Sequence, residues 1–176
     1  MNNKEKLLWI TRTAIFIAIL LVLQAVSKPM GQYVTGSLVN LVLILSVLLG
    51  GLWCGVTVAI LSPFFAFMVG IGPAFPPLLP FIMLGNLTLV LVWQLLAGKA
   101  KSKTLVAAVL AALAKFSVLY LCIVQLAIPH ILRLQPPQSV ALSASFSFPQ
   151  LITALVGGLA AVAFLPTLRK ALRVLF

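Results

Sequence analysis

The chain has 176 residues, of which 63% are hydrophobic and 7% charged, and its mean hydropathy is +1.25. A soluble domain carries about 25% charged residues, so this composition excludes one and specifies a membrane protein. Twelve Lys and Arg residues stand against a single acidic one, for a net charge of +11. The position of these charges then decides what they face.

The first predicted span covers residues 7–26, with Lys4, Lys6 and Arg12 before or inside its start. A basic start and Ala25-Val26-Ser27 after it resemble a signal peptide. The stretch is near full spanning length, however, and its removal leaves an odd number of spans, so it is read as a span. Ala14 and Ala18, four residues apart, share one face where small side chains let another helix approach closely.

Residues 28–37 contain Pro29, Gly31 and Gly36 and read as a loop, with Gln32 and Tyr33 at the outer interface. The next apolar block, residues 38–69, makes a helix of about 48 Å, too long for one crossing. Gly50-Gly51 divides it into spans over 38–49 and 52–69, with Asn40 near the outer end of the first and Ser62-Pro63 bending the second. The segment Gly70–Pro80 holds four prolines and two glycines and is read as a stiff outer loop, with Phe75 exposed or folded back as a lid. Span four, 81–96, carries Gly85-Asn86 below the outer surface and Trp93 toward the inner one. Asn86 is a buried amide that either bonds a neighbouring helix or reads a ligand.

Lys99, Lys101 and Lys103 form the turn into span five, 104–128, whose inner half is rich in alanine and whose outer half carries Tyr120 and Gln125. Lys115 lies eleven residues into it, about 16 Å along a helix and near the bilayer midplane. A charge at that depth costs at least a few kcal/mol unless it is satisfied. Either Lys115 bonds neighbouring carbonyls or snorkels along its own stem, or it holds a substrate. Residues 129–149 read as the longest loop, with His130 at the surface, and span six, 148–165, opens with Gln150 and Thr153. Pro166 ends or kinks it, and Thr167–Phe176 forms a basic amphipathic tail.

The expected architecture is all-α: one membrane domain over 1–176, six spans and both termini in the cytoplasm. Nine of the cations then lie at cytoplasmic ends, Lys28 and Arg133 lie opposite, and Lys115 lies within. That asymmetry follows the positive-inside rule and makes anionic lipid headgroups, not nucleic acid, the partner of the charges.

Glu5, the only acidic residue, precedes every span, so the membrane part has no carboxylate to relay protons. No G-x-x-x-x-G-K-[ST] loop is present to hold a nucleotide. Uphill transport by this chain therefore needs energy from a partner. A single histidine builds no histidine metal cluster, and there are no paired carboxylates or activated nucleophile. No metal, cofactor or enzymatic activity is expected. Cys54 and Cys122 are placed too far apart to bridge.

The size, the six short spans, Ala14-Ile15-Phe16-Ile17-Ala18, the Gly50-Gly51 hairpin and the proline-rich segment leading to Gly85-Asn86 resemble one family. It is the substrate-binding S-components of energy-coupling factor (ECF) transporters, six-span vitamin-uptake subunits of the bacterial cell membrane. The resemblance implies a small vitamin-like substrate, a transmembrane T-component docking on Ala14 and Ala18, and two cytosolic ATPases. It also implies a pocket in the outer half of the bundle. Geometry nominates Gln32, Tyr33, Asn40, Asn86, Lys115, Tyr120, Gln125 and Gln150 to reach it. Without a membrane carboxylate, a neutral or anionic substrate is expected rather than a cationic one, with Lys115 as its counter-ion. The competing expectation is a six-span structural subunit of a cell-envelope or cell-shape complex, in which Asn86 and Lys115 bond only to protein.

Overall fold

A capping box starts the chain: Asn2 Oδ1 accepts from the Glu5 N–H at 2.9 Å and Glu5 Oε2 accepts from the Asn2 N–H at 3.0 Å. From there α1 runs over Asn3–Ser27 and a 3-10 turn over Lys28–Met30. The computed structural model describes residues 2–71, 75–98 and 100–175, with the backbone alone for 169–175. Lys99, residues 72–74 of the proline-rich segment, Phe176 and the side chains of Arg169, Lys170 and Arg173 lie outside that description.

Every element among the described residues is helical. Helix α2 covers Gln32–Gly50 and α3 covers Leu52–Met68, separated by Gly51 at φ 86°, a conformation that costs a Cβ-bearing residue energy. After a 3-10 turn at Pro76–Leu78 come α4, Leu79–Leu96, and α5, Lys101–Leu119. The chain then continues in wider π-helical winding over Tyr120–Leu132 and stops at Arg133, whose φ is 44°. The last two helices are α6, Pro136–Ser145, and α7, Phe148–Leu175.

Three of these elements differ from the sequence reading. Residues 28–37 are not all loop. Gly31, at φ 87°, breaks the chain and α2 begins at Gln32. Gly36 lies inside that helix, where an added Cβ would stand 2.9 Å from Thr153 Cγ2; its role is close approach rather than helix breaking. Residues 129–149 are mostly helical as well. Pro136 and Pro137 occupy the first turn of α6, where a missing N–H has no helical partner to lose. Finally, α7 does not end at Pro166 but continues through it to Leu175, the proline lacking the N–H that would bond the Val162 carbonyl.

Five helical stretches are long and apolar enough to cross a membrane: Asn3–Met30, Gln32–Gly50, Pro76–Leu96, Lys101–Leu132 and Pro136–Leu168. Helix α3 is apolar but shorter, at 17 residues. Large apolar side chains such as Ile10, Val22 and Leu159 are exposed, and Leu95 is 80% exposed. A water-facing surface rarely tolerates so much exposed apolar area, whereas lipid accepts it.

Small residues set which helices touch. Ala107, Ala108, Ala111 and Ala112 of α5 are fully buried, and α5 packs between α4 and α7. Around them Leu43, Ile44, Val58, Leu89 and Trp93 form the main core. A second, smaller cluster of Leu78, Leu119, Ile123, Ala127 and Phe146 ties the Pro76–Leu78 turn to the π segment and α6. Helix α1 lies at the periphery against α2 and α3.

Candidate functional site

Between the second cluster and the main core lies a cavity of about 620 Å³. Helices α1 to α5, the start of α7, and α6 all line it, and it reaches from the exposed Lys28 and Gln32 to the buried Lys115. The volume falls within the range of small-molecule sites. At the mouth, Lys28 Nζ donates to the Gly70 carbonyl at 3.0 Å. The Ser145 carbonyl, the last of α6, accepts from both Gln32 Nε2 and Gln150 Nε2, which binds this short helix to the starts of α2 and α7. Phe75 is folded inward as part of the wall.

Lys115 is 3% exposed. Its Nζ donates to Asn40 Oδ1 at 2.6 Å and to Asn86 Oδ1 at 2.7 Å, so α2 and α4 each supply one acceptor to a cation on α5. Asn40 is itself oriented by Thr153, its Nδ2 lying 3.4 Å from the Thr153 hydroxyl, which in turn donates to the Gln150 carbonyl at 3.2 Å. An ammonium has three donors. Two are used; the third has no partner among the described residues, and neither has the Asn86 amide nitrogen. Both residues line the cavity.

The electrostatics are one-sided. The cavity wall contains Lys28 and Lys115 and no carboxylate, and Glu5, the only acidic residue, caps the far end of α1. A buried cation without a counter-charge in a low dielectric attracts an anion strongly. The arrangement can therefore hold an acidic group, with Lys115 Nζ and Asn86 Nδ2 as the donors available on residues that line the cavity. Among the described residues there is no cluster of His, Cys, Asp or Glu that could hold a metal.

Of the residues nominated from sequence, Gln32, Asn40, Asn86, Lys115 and Gln150 line this one cavity. Tyr33, Tyr120 and Gln125 do not. Tyr33 is 54% exposed on the outside, and Gln125 donates to the Tyr120 hydroxyl at 3.1 Å, away from the cavity. Sequence reasoning missed Gln24, Lys28, Thr35 and Ser62 as lining residues. The available signals were slight: Gln24 is the one amide in the first span, and Ser62 drew notice only as the neighbour of Pro63. Ala14 and Ala18 are both exposed and line a separate, almost wholly apolar groove between α1 and α3 of about 490 Å³.

Fold and cavity together define a multi-pass helical membrane protein with room for one small solute. The family model described as ECF transporter, substrate-specific component, matches residues 9–169, nearly the whole chain. The chain belongs to that family, which makes it a substrate-binding subunit of an ECF transporter and a transport protein rather than an enzyme. No curated protein and no solved structure matches it significantly.

Proposed function

We propose that this subunit captures an anionic or neutral solute of vitamin size for an ATP-driven importer of the plasma membrane. The observation that carries the charge preference is Lys115: a buried ammonium, held by two asparagine oxygens and facing a cavity with no carboxylate. Lys28 at the mouth adds a second positive charge on the entry side and favours the approach of anions. In this reading the chain crosses the membrane six times as one domain with both termini in the cytoplasm, α3 serving as the short sixth span. Family membership implies a T-component and ATPase partners, and the absence of any nucleotide loop in the chain fits energy supplied from outside it.

Matched acid and neutral pairs test the preference directly. Biotin with biotinol, pantothenate with panthenol, and nicotinate with nicotinamide are to be titrated against the purified protein, with thiamine as the cation. A charge-assisted hydrogen bond contributes about 1.5–3 kcal/mol, so the bound acid is expected to exceed its neutral partner by at least about tenfold in affinity. Equal affinity within every pair, or a preference for thiamine, removes the anionic reading.

The partner surface is proposed to be the groove at Ala14 and Ala18. Ala14→Trp/Ala18→Trp fills it with two indole rings while leaving the solute cavity untouched. Pull-down of the tagged parent from native membranes in mild detergent is expected to recover a membrane scaffold with two ATPases, and the double variant to lose them. Undiminished recovery by the double variant places docking elsewhere.

A further inference from the structure

The groove between α1 and α3 changes chemistry at one end. Along α1 its wall includes Ala14, Ala18 and Leu21, and along α3 it is Thr57, Leu61 and Phe65. The Thr57 hydroxyl donates back to the Trp53 carbonyl at 2.8 Å and is spent within its own helix, so the wall offers hydrocarbon. Residues three, four and seven apart share a helix face. The α1 wall therefore extends backward from Trp9, Ile10 and Thr13 to Lys6, and the α3 wall from Thr57 to Trp53. Both are exposed, Trp53 at 68%. The neighbouring Glu5 is engaged in the capping box with Asn2. An open apolar slot thus ends in an ammonium and an indole, which is the chemistry of an amphiphile's two halves.

We propose that this groove seats one acidic phospholipid of the inner leaflet, with an acyl chain between α1 and α3 and the phosphate beside Lys6. The wall from Trp9 to Leu21 covers about 18 Å of helix, and one leaflet's share of the hydrocarbon core is about 15 Å. A chain lying along α1 fills the groove from end to end. With the N-terminus in the cytoplasm, the start of α1 and the Gly51 turn both lie on the inner side, where Lys6 and Trp53 meet the headgroup layer. An ammonium at that level attracts a phosphate, and an indole settles among the headgroups. A small organic anion has the charge without the chain, and phosphatidylcholine carries its own cation beside the phosphate; an acidic phospholipid matches both ends. The same groove is the surface proposed for the T-component, so the lipid belongs to the free subunit and leaves when the partner docks. That consequence rests on the docking reading, whereas the lipid site stands without it.

Native mass spectrometry of the detergent-purified protein tests the site, with dioleoylphosphatidylglycerol or dioleoylphosphatidylcholine added in steps. The parent is compared with Lys6→Gln, Ala14→Trp/Ala18→Trp and Lys101→Gln/Lys103→Gln. The parent is expected to bind one phosphatidylglycerol about fivefold more tightly than phosphatidylcholine, the worth of one lysine against an anionic headgroup. Lys6→Gln removes that difference by weakening phosphatidylglycerol alone. Ala14→Trp/Ala18→Trp loses the first-bound lipid of both kinds, and Lys101→Gln/Lys103→Gln keeps the parent's preference. If the Lys101 and Lys103 changes weaken phosphatidylglycerol as much as Lys6→Gln does, the preference belongs to the overall positive charge and the site is overturned. Parental lipid binding by Lys6→Gln or by the double tryptophan variant overturns it as well. Lys6 is exposed, so Lys6→Gln reads the site even where two indoles disturb α1. Binding in detergent does not depend on which leaflet the lysine faces. Failure of the docking reading shows separately, as a double tryptophan variant that loses the lipid and still recovers the scaffold and ATPases.

Discussion

Lys115→Met is expected to abolish high-affinity capture of an acidic solute while leaving the protein folded. Truncating one partner of a buried charge pair costs about 2–5 kcal/mol, roughly 30- to 5000-fold in Kd. Stability responds differently. The variant frees the Asn40 and Asn86 oxygens that Nζ now bonds at 2.6 and 2.7 Å, at about 1–3 kcal/mol for each oxygen left without a partner. Against that loss it removes an uncompensated buried ammonium, whose desolvation also costs several kcal/mol. The two effects nearly offset each other, so the melting temperature of the empty protein moves little. Uptake of the labelled acid into cells and thermal unfolding of the purified variant read the two quantities independently. Binding at parental affinity shows that Lys115 serves only to join α2, α4 and α5.

The second large effect is expected at Gly157→Val, which acts on the scaffold and through it on the site. A Cβ at Gly157 would stand 2.7 Å from the Ser37 carbonyl oxygen, 2.8 Å from the Leu41 nitrogen and 2.7 Å from Asn40 Cβ. The first two are backbone atoms of α2, which cannot turn aside, so α7 must move away from α2. Asn40 is displaced in the process and Lys115 loses an acceptor. Overpacking commonly costs about 1–3 kcal/mol, and a clash with backbone belongs at the upper end or beyond. The melting temperature should fall and acid binding should be lost. Gly158→Ala is the control: its new methyl meets Ala108 Cβ at 3.1 Å, a contact relieved by a shift of a few tenths of an ångström. Parental stability and binding in Gly157→Val would show that α2 and α7 are not held by this contact.

Part of the site is legible in the residues alone. Lys115 stands out because a charge at midplane depth is costly, and Asn40, Asn86, Gln32 and Gln150 because amides near the ends of apolar stretches need partners. Their common destination is not legible there. The alanine-rich face of α5 carries no polar stripe from which its orientation can be read. Tyr120 follows Lys115 by five residues, about 140° around an α-helix, and so leaves the cavity face. The pairing of Tyr120 with Gln125 at 3.1 Å depends on π winding, which stacks residues five apart. No periodicity in the sequence announces that winding.

The class of the protein follows from its residues alone: a multi-pass, all-helical membrane chain with one acidic residue, no nucleotide loop and a cation at membrane depth. Hydropathy and residue inventory are sums along the chain, so they survive without knowledge of which helices meet. The packing of the helices settles what no single helix reveals: that Lys115 is held by Asn40 and Asn86, that Gly36 is a contact point rather than a break, and that residues as far apart in the chain as Gln24 and Gln150 line one cavity. Each of these depends on the rotation and approach of one helix against another. Those are set by side-chain volumes at particular contacts, such as the absent Cβ of Gly157 against α2, and not by any property a single helix carries alone.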